Sequence, residues 1–526
     1  MKENNKKYYP EIEPSVNFSK VEESILKKWD AEKTFDKSIS NREGANEFVF
    51  YDGPPFANGL PHYGHILTGF VKDIIPRFQT MKGSKVDRVF GWDCHGLPAE
   101  MESEKELGIT GRKQIQEFGV ENFNNHCQES VMKYTKEWEV TVGRQARWVD
   151  FENDYKTMDL DYMESVMWAF KQLWDKGLVY EKDRVMPYSW KAETPLSNFE
   201  TRLDDSYRER KDPAVTIKFE INDSNIDFEN SYKSYLLAWT TTPWTLPSNL
   251  ACAVGKDIDY SLITLNNENL IIASSVLENF QDVLEGYKTI KTIKGNEILG
   301  TQYIPIFDYF KDTKNAFKVL EADFVNTEEG TGIVHMAPGF GEDDQLVCEK
   351  NNISIVCPVD DQGKFTSEVK EYENLLVFDA NEKIISDLKQ RNIIVKKQNY
   401  LHNYPHCWRT DEPLIYKSVN SWYVEVSSFK DRMVELNQEI SWTPDHIKDG
   451  TFGKWLAGAR DWSISRNRFW GTPIPVWKSD DPKYPRVDVY GSLDEIEKDF
   501  GTRPNNLHRP HIDKLTRPNP DDPTGK

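Results

Sequence analysis

Apolar residues recur along this chain with two different periods, and the places where the period changes predict its layout. Val21, Ile25, Leu26 and Trp29 fall at helical spacing behind Ser19-Lys20-Val21-Glu22, which reads as a capping box. Glu47–Tyr51 is a short apolar run rich in β-formers, predicted as a buried strand that ends at Asp52-Gly53-Pro54-Pro55. A helix is predicted from about Tyr63 to Lys82, with Ile66, Phe70, Ile74 and Phe78 on its core face, Pro76 as a kink and Gly83 as its stop. Val86–Trp92 reads as the next strand. Strand, loop, helix and strand in that order form the unit of a parallel doubly wound sheet.

Helical spacing then dominates from Val120 to Asp175, with Met163, Val166, Met167, Phe170 and Trp174 on one face and Gly177 beyond the end. From about Glu193 to Lys397 strands are predicted instead: Ala214–Ile221, Tyr235–Thr240, Tyr260–Thr264, Leu270–Ala273, Gly332–Met336 and Ile353–Val359. Helical, tryptophan-rich texture returns from about Tyr404. A β-rich block between two α/β blocks points to an insertion rather than a row of separate domains. The fold class expected is α/β, a doubly wound, Rossmann-like parallel sheet split by an inserted β-rich domain. Its parts are a helical extension (1–45), a first half (46–192), the insertion (193–400) and a return (401–526).

Composition narrows the class of protein without naming it. A chain of 526 residues exceeds one core, so about two to four domains are expected. Sixteen tryptophans and 13% aromatics can fill large cores and exclude a disordered chain. No window approaches about twenty apolar residues, which excludes a membrane-spanning helix. The N-terminal stretch MKENNKKYYPEIEP has no apolar segment of the kind that begins a secretory signal. The six cysteines include no C-x-x-C pair, so neither a disulfide framework nor a zinc ribbon is expected, and a reducing cytoplasm fits best. The net charge of −20 argues against nucleic-acid binding, since phosphate neutralisation rewards Lys and Arg. A local basic groove can coexist with an acidic body.

The motifs overturn that last argument. His62-Tyr63-Gly64-His65 sits where the first strand hands over to its helix, and a helix N-terminus offers unpaired N–H groups and a positive dipole end to phosphate. Taken alone, H-x-G-H is more often a histidine capping a helix. Its setting is DGPPFANGLPHYGH (Asp52–His65), followed by GWDCHGLPAE (Gly91–Glu100), whose Asp93 lies 28 residues after His65. These stretches resemble the class I aminoacyl-tRNA synthetases, in the isoleucyl branch. The resemblance implies that His62, Gly64 and His65 contact the phosphates of ATP, which enters with magnesium as substrate. It further implies that Gly53 and Pro54 line the amino-acid site and that Asp93 pairs with the ammonium of isoleucine. Such a pairing is chemically sensible, since neither charge is tolerable when buried alone.

Two stretches stand out in the insertion. AWTTTPWTLPSN (Ala238–Asn249) carries Thr240, Thr241 and Thr242 in a row, and GTGIVHMAPGFGEDD (Gly330–Asp344) places His335 and Asp344 among glycines. Threonines suit strands and glycines suit bends, so each stretch alone has an equal structural reading. Together they resemble the editing domain of the isoleucyl, valyl and leucyl enzymes. The resemblance implies that the threonine peptide and Asn249 hold the terminal adenosine of tRNA(Ile). It implies that His335 lines the pocket and that Asp344 binds the amino group of the wrong amino acid.

NYPHCWR (Asn403–Arg409), DEPLIY (Asp411–Tyr416) and RDWSISRNRFWGTPIPVW (Arg460–Trp477) continue the resemblance. Arg466 and Arg468, beside Trp462 and Trp470, serve either RNA contact or packing with snorkelling arginines. Thr410 follows Arg409 where several relatives begin a cysteine pair, so no zinc is expected and Cys407 reads as a buried thiol. The family's KMSKS loop is not found, and Met81–Lys85 (MKGSK) falls in the wrong place for it. The resemblance runs from about Tyr9 to Lys526 and covers about half of a family member. It implies a monomer whose partners are tRNA(Ile), isoleucine and ATP, away from membranes. It also implies that this stretch alone is inactive in isoleucine activation. A stand-alone aminoacyl-tRNA hydrolase and a non-catalytic tRNA- or nucleotide-binding module are the alternative readings.

Overall fold

A computed structural model describes residues 14–197, 200–203 and 205–525; Tyr9, most of the N-terminal stretch and Lys526 lie outside them. The chain forms two compact units, residues 1–175 with 468–526, and residues 176–467.

The first unit is built on a parallel pair, Val89–Trp92 beside Asp150–Lys156, with Val89 opposite Asp150 and Trp92 opposite Lys156. Helices Leu97–Leu107, Gly111–Phe118, Val120–Ser130 and Thr135–Arg144 make the crossover between them. Phe90 and Trp92 project into a core with Ile115, Phe123 and Trp138, all essentially sealed from solvent. Gly91, on the opposite face, leaves room for the Tyr155 ring, into which any Cβ would collide.

Helix Tyr63–Met81 forms as expected and runs unbroken through Pro76. Its expected core face does not face the core: Ile66, Phe70, Ile74 and Phe78 are all exposed, and the buried positions are Gly69, Pro76 and Thr80. Polar bonds along that opposite side hold the helix down. Gln145 Nε2 donates to Ile66 O at 2.8 Å, Trp148 N–H to Asp73 Oδ1 at 3.1 Å, and Arg77 Nη2 to Ala146 O at 2.6 Å.

Three further expectations about this unit are corrected. Glu47–Tyr51 is no buried strand: it makes one bridge, Glu47 to Lys85, and Val49 and Tyr51 are 62% and 91% exposed. With a neighbour on one edge only, the run is never covered. The first helix is Phe18–Glu32, capped by Asn17 accepting from Lys20 N–H at 3.1 Å rather than by Ser19, and none of its residues is buried. A strand, Asp150–Lys156, interrupts the stretch expected to be helical; from Leu160 the helix resumes and buries Met163, Met167 and Phe170.

The second unit is β-rich. Strands Lys233–Thr240, Ile333–Met336, Ala251–Val254, Lys318–Glu321, Gln302–Tyr303 and Tyr207–Asp223 follow one another in the sheet, and the last pairs back onto the first. The ring is thereby closed, which leaves those strands no open edge. Asp259–Leu265, Glu268–Ala273 and Lys288–Lys294 extend it from the Lys233–Thr240 side, and Ile394–Pro405 from the Tyr207–Asp223 side. The middle of strand Tyr207–Asp223 is covered on both faces: Ala214, Val215, Thr216 and Ile217 are all buried. Ile353–Val359 is extended but makes only the Val359–Phe365 bridge, a correction to the strand expected there.

A second, four-stranded sheet contains Trp462–Ser463, Ile415–Val424, Val179–Ser189 and Thr194–Pro195 in that order. The texture expected to turn helical at Tyr404 therefore stays β through Val424. Among residues 415–424 every second side chain points inward, the strand period rather than the helical one.

Candidate functional site

Each unit carries a constellation. In the first, His62 caps helix Tyr63–Met81: its Nδ1 accepts from Gly64 N–H at 3.1 Å, and His65 Nδ1 accepts from His62 N–H at 3.2 Å. The two rings stack at 3.7 Å, and His65 also lies against Trp138. A Cβ on Gly64 would press on the His62 imidazole, so glycine suits this turn. Since both Nδ1 atoms accept, the neutral rings carry their protons on Nε2. Burial, then the charges of His62 and Lys72, lowers the pKa of His65 and favours that neutral form. The result is a pair of imidazole donors beside the unpaired N–H groups of a helix N-terminus, a good arrangement for phosphoryl oxygen.

Gly53, Pro54 and Asp93 are brought alongside one another by backbone pairing. Asp93 N–H donates to Pro55 O at 2.9 Å, next to a parallel bridge between Phe56 and Asp93. The loop is pinned by Asp52, whose carboxylate pairs with both Lys72 and Arg147, while Lys72 Nζ also donates to Gly53 O at 3.2 Å. Burial raises the Asp93 carboxyl pKa, partly offset by the His95 N–H. A bound ammonium compensates that penalty better than water does.

Several residues that support this region were not singled out from the sequence. Glu100 is fully buried and accepts from the Arg468 guanidinium and from the N–H groups of Phe469 and Trp470. Arg468 is thus sealed inside a packing interaction, which removes it from the RNA-contact reading. His95 and His508 meet at 2.8 Å between their Nε2 atoms, with Trp470 stacked on His508 at 4.3 Å. Their signal was weak, because nothing in sequence spacing relates position 95 to position 508.

In the second unit, a cavity of about 630 Å³ is lined by Thr240, Thr241, Thr242, Thr245, His335 and Asp344, with Trp239, Phe340 and Glu328 among the remaining walls. The threonines stand where strand Lys233–Thr240 ends and a two-turn 3-10 helix, Pro243–Ser248, begins. His335 comes from strand Ile333–Met336, and Asp344 from the first turn of helix Glu342–Lys350. Gly330 and Gly332, both at φ +73°, supply the left-handed backbone that leads into the His335 strand.

Every polar atom of His335 is engaged. Asn249 Nδ2 donates to its Nδ1 at 2.9 Å, so its proton sits on Nε2 and is donated to Thr245 Oγ1 at 2.9 Å; Thr245 in turn donates to Thr242 O at 2.8 Å. Burial drives the His335 pKa down to about 3, so it stays neutral and braces the threonine turn rather than acting as a base. Asn249 is not on the cavity wall. It stands behind His335, also donating to Ala251 O at 2.9 Å and accepting from Tyr303 OH at 2.7 Å. Thr245, missed in the sequence, lies in the same threonine peptide, three residues after Thr242, and its spacing in a tight turn was the available clue.

Asp344 is the group with unused capacity. Its Oδ2 accepts from Ala337 N–H at 2.9 Å, and burial pushes its carboxyl up to about 7. A carboxylate of this kind on a cavity wall favours a cationic ligand group. Among the described residues no set of three His, Cys, Asp or Glu side chains is placed to hold a metal ion, and no helix is long and apolar enough to cross a membrane. Cys407 is fully buried.

A helix N-terminus opened by two stacked histidines in one unit and a closed β-rich insertion in the other accompany a family likeness. The chain belongs to the class I tRNA synthetases, the group of I, L, M and V members, whose family model matches residues 24–521. Among curated proteins it is similar to the isoleucine–tRNA ligase of Rickettsia peacockii (strain Rustic), with 63% identity over 525 residues, covering 99% of this chain and 48% of that protein. The isoleucine–tRNA ligase of Rickettsia felis (strain ATCC VR-1525 / URRWXCal2) is 62% identical over 536 residues, covering 99% and 49%. The chain spans about half the length of the curated relatives it matches. Among solved structures, a ternary complex of a LeuRS with tRNA and LeuAMS from Agrobacterium radiobacter K84 matches at 15% identity and TM-score 0.34, covering 88% of this chain and 51% of that one.

Proposed function

We propose that this chain is the part of an isoleucine–tRNA ligase that holds ATP and isoleucine in its first unit and hydrolyses misacylated tRNA in its second. In the whole protein, the isoleucine carboxylate attacks the α-phosphorus of ATP, pyrophosphate leaves, and a terminal ribose hydroxyl of tRNA(Ile) then takes the aminoacyl group from the adenylate as AMP leaves. His62 and His65 donate from Nε2 to phosphoryl oxygens, Gly64 permits the close approach, and Asp93 pairs with the ammonium beside Gly53 and Pro54. Fixed donors of this kind stabilise charge as it develops at phosphorus.

In the second unit, water attacks the ester carbonyl of valyl-tRNA(Ile), the ribose oxygen leaves, and valine and tRNA(Ile) are released. The cavity with Asp344 on its wall is the observation that carries this reading. Asp344 holds the substrate ammonium, while Thr240, Thr241 and Thr242 hold the terminal adenosine. His335 and Asn249 keep the threonine turn in place. His335 is neutral and fully hydrogen-bonded, so hydrolysis relies on positioning rather than on a histidine base. A second site of this kind is useful because one methylene is worth only about 1–3 kcal/mol in an apolar pocket; isoleucine against valine is the standard instance of that figure, not one worked from this structure. Cytoplasmic residence fits the free cysteines.

The test is release of valine from valyl-tRNA(Ile) by this chain, with isoleucyl-tRNA(Ile) as control and Asp344→Ala in parallel. Selective loss of valine that the variant abolishes supports the reading. Equal hydrolysis of both esters, or an unaffected variant, overturns it.

A further inference from the structure

The N-terminal helices and the far end of helix Tyr63–Met81 enclose a second cavity, of about 450 Å³, whose walls include Lys37, Ser38, Arg42, Arg77, Glu32 and Trp148. None of these residues belongs to either constellation described above. Its charge runs against that of the chain as a whole.

Arg42 reaches in with Nε bonded to Thr80 O at 2.8 Å and Nη1 to Ser38 O at 2.7 Å. Arg77 has Nε on Asp73 at 2.7 Å and Nη2 on Ala146 O at 2.6 Å, and it covers the Trp148 ring at 4.1 Å. Below Thr80, a wall residue, lies Arg88. It is 5% exposed, lies over the Phe35 and Trp148 rings and donates from Nη2 to the Thr80 hydroxyl, while its Nε and Nη1 have no hydrogen-bond partner among the described residues. Lys37 stands exposed on the wall. Two carboxylates oppose these four cations: Glu32, and Asp73, which is already shared between Arg77 and Trp148 N–H. A guanidinium does not shed its proton at physiological pH, and a buried charge left uncompensated is costly. Burial lowers the Arg88 pKa to about 10; the charge of Asp73 opposes that shift, and those of Arg77 and Arg42 add to it.

We propose that this cavity binds a small phosphate-bearing molecule, held by Lys37, Arg42 and Arg77 and compensating the buried charge of Arg88. Arg42 Nη2 and Arg77 Nη1 make no bond within the described residues, and a guanidinium fork matches phosphate oxygens in pairs. The cavity favours a free phosphate compound over an RNA strand, because the Trp148 face on which a base would stack is already taken by Arg77.

The test is calorimetric titration with pyrophosphate and with inorganic phosphate at matched ionic strength, on the native chain, Lys37→Glu and His62→Ala. A saturable component that survives in His62→Ala and weakens at least tenfold in Lys37→Glu is expected. Absence of saturable binding, or a Lys37→Glu affinity within twofold of native, overturns the proposal. So does a loss confined to His62→Ala, which places the phosphate at the other helix end. An acceptor-stem RNA that displaces pyrophosphate in a Lys37-dependent manner overturns the choice of a free ligand. Arg88→Met supplies a second readout: without phosphate its melting temperature rises, and added pyrophosphate raises it further by less than it raises that of the native chain. A native-like phosphate response in Arg88→Met counts against the proposal.

Discussion

Replacing Asp344 by Asn removes one ionisable group from the β-rich cavity and preserves its shape, including an acceptor for the Ala337 N–H. Burial places the native carboxyl at about 7, with Ala337 lowering it and Asp343 raising it. The ionised fraction is then roughly 0.1 at pH 6 and roughly 0.9 at pH 8, so the form able to pair with an ammonium grows about ninefold across that interval. The assay is kcat/KM for release of labelled valine from valyl-tRNA(Ile), measured for both proteins between about pH 5.5 and 8.5. Hydroxide-dependent ester hydrolysis affects both equally, so the ratio of native to variant isolates the carboxylate. That ratio should rise from pH 6 as the carboxyl ionises, reach about 30- to 1,000-fold near pH 7.5, the equivalent of about 2–4 kcal/mol for a desolvated ion pair, and fall again as the substrate's α-amine loses its proton above about pH 8. A flat ratio, or a variant within twofold of native near pH 7.5, refutes the assignment of Asp344 to the ammonium. The same shift has a sign for stability. The folded-state pKa lies above the usual 3.8, so the folded chain binds the extra proton, and stability falls as pH rises from about 3.8 to 7. Above pH 7 the Asn variant should therefore be the more stable, by up to ~4 kcal/mol, in urea titrations.

Other substitutions test the scaffold. Glu100→Gln leaves the buried Arg468 charge without its main partner and should cost about 3–5 kcal/mol by urea unfolding, much of it recovered in Glu100→Gln with Arg468→Met. Gly91→Ala drives a methyl into the Tyr155 ring and should cost about 1–3 kcal/mol in the same measurement. Asn249→Ala strips His335 Nδ1 of its donor and Tyr303 OH of its acceptor, a loss of about 1–3 kcal/mol. The imidazole nitrogen resonances of His335 should then leave the pure Nε2–H pattern, and an unchanged pattern contradicts the tautomer assigned here.

Local chemistry was legible wherever one peptide carries it. The helix start at His62 needed only the rule that a helix begins after an extended run, whereas the roles read into His62, Gly64 and His65 and into the threonine peptide came from the resemblance of longer stretches. Strands marked by β-branched and apolar runs, such as those around Val215–Phe219 and Leu270–Ala273, were read correctly to within a few residues. Failures came where tertiary context decides. The Tyr63–Met81 helix has two credible faces, and periodicity selected the larger side chains, whereas the fold buries Gly69, Pro76 and Thr80, where backbones approach closely and polar bonds form. Glu47–Tyr51 has the composition of a strand but lacks a second neighbour. Glu100 with Arg468, and His95 with His508, are separated by more than three hundred residues, so no window of sequence could relate them.

The four-stranded sheet of the second unit also bears on how such a protein can be assembled from parts. The chain enters the unit through strand Val179–Ser189 and leaves it after Trp462–Ser463, and strand Ile415–Val424 pairs with both. Entry and exit thus lie two strand spacings apart, about 10 Å. Ends that close make the unit a cassette: a short flexible tether can bridge them at small loop-closure cost. Gene fusion, excision or transplantation can therefore be made at two points that lie close together. A graft carrying residues 176–467 between two helices of an unrelated scaffold is expected to keep its barrel.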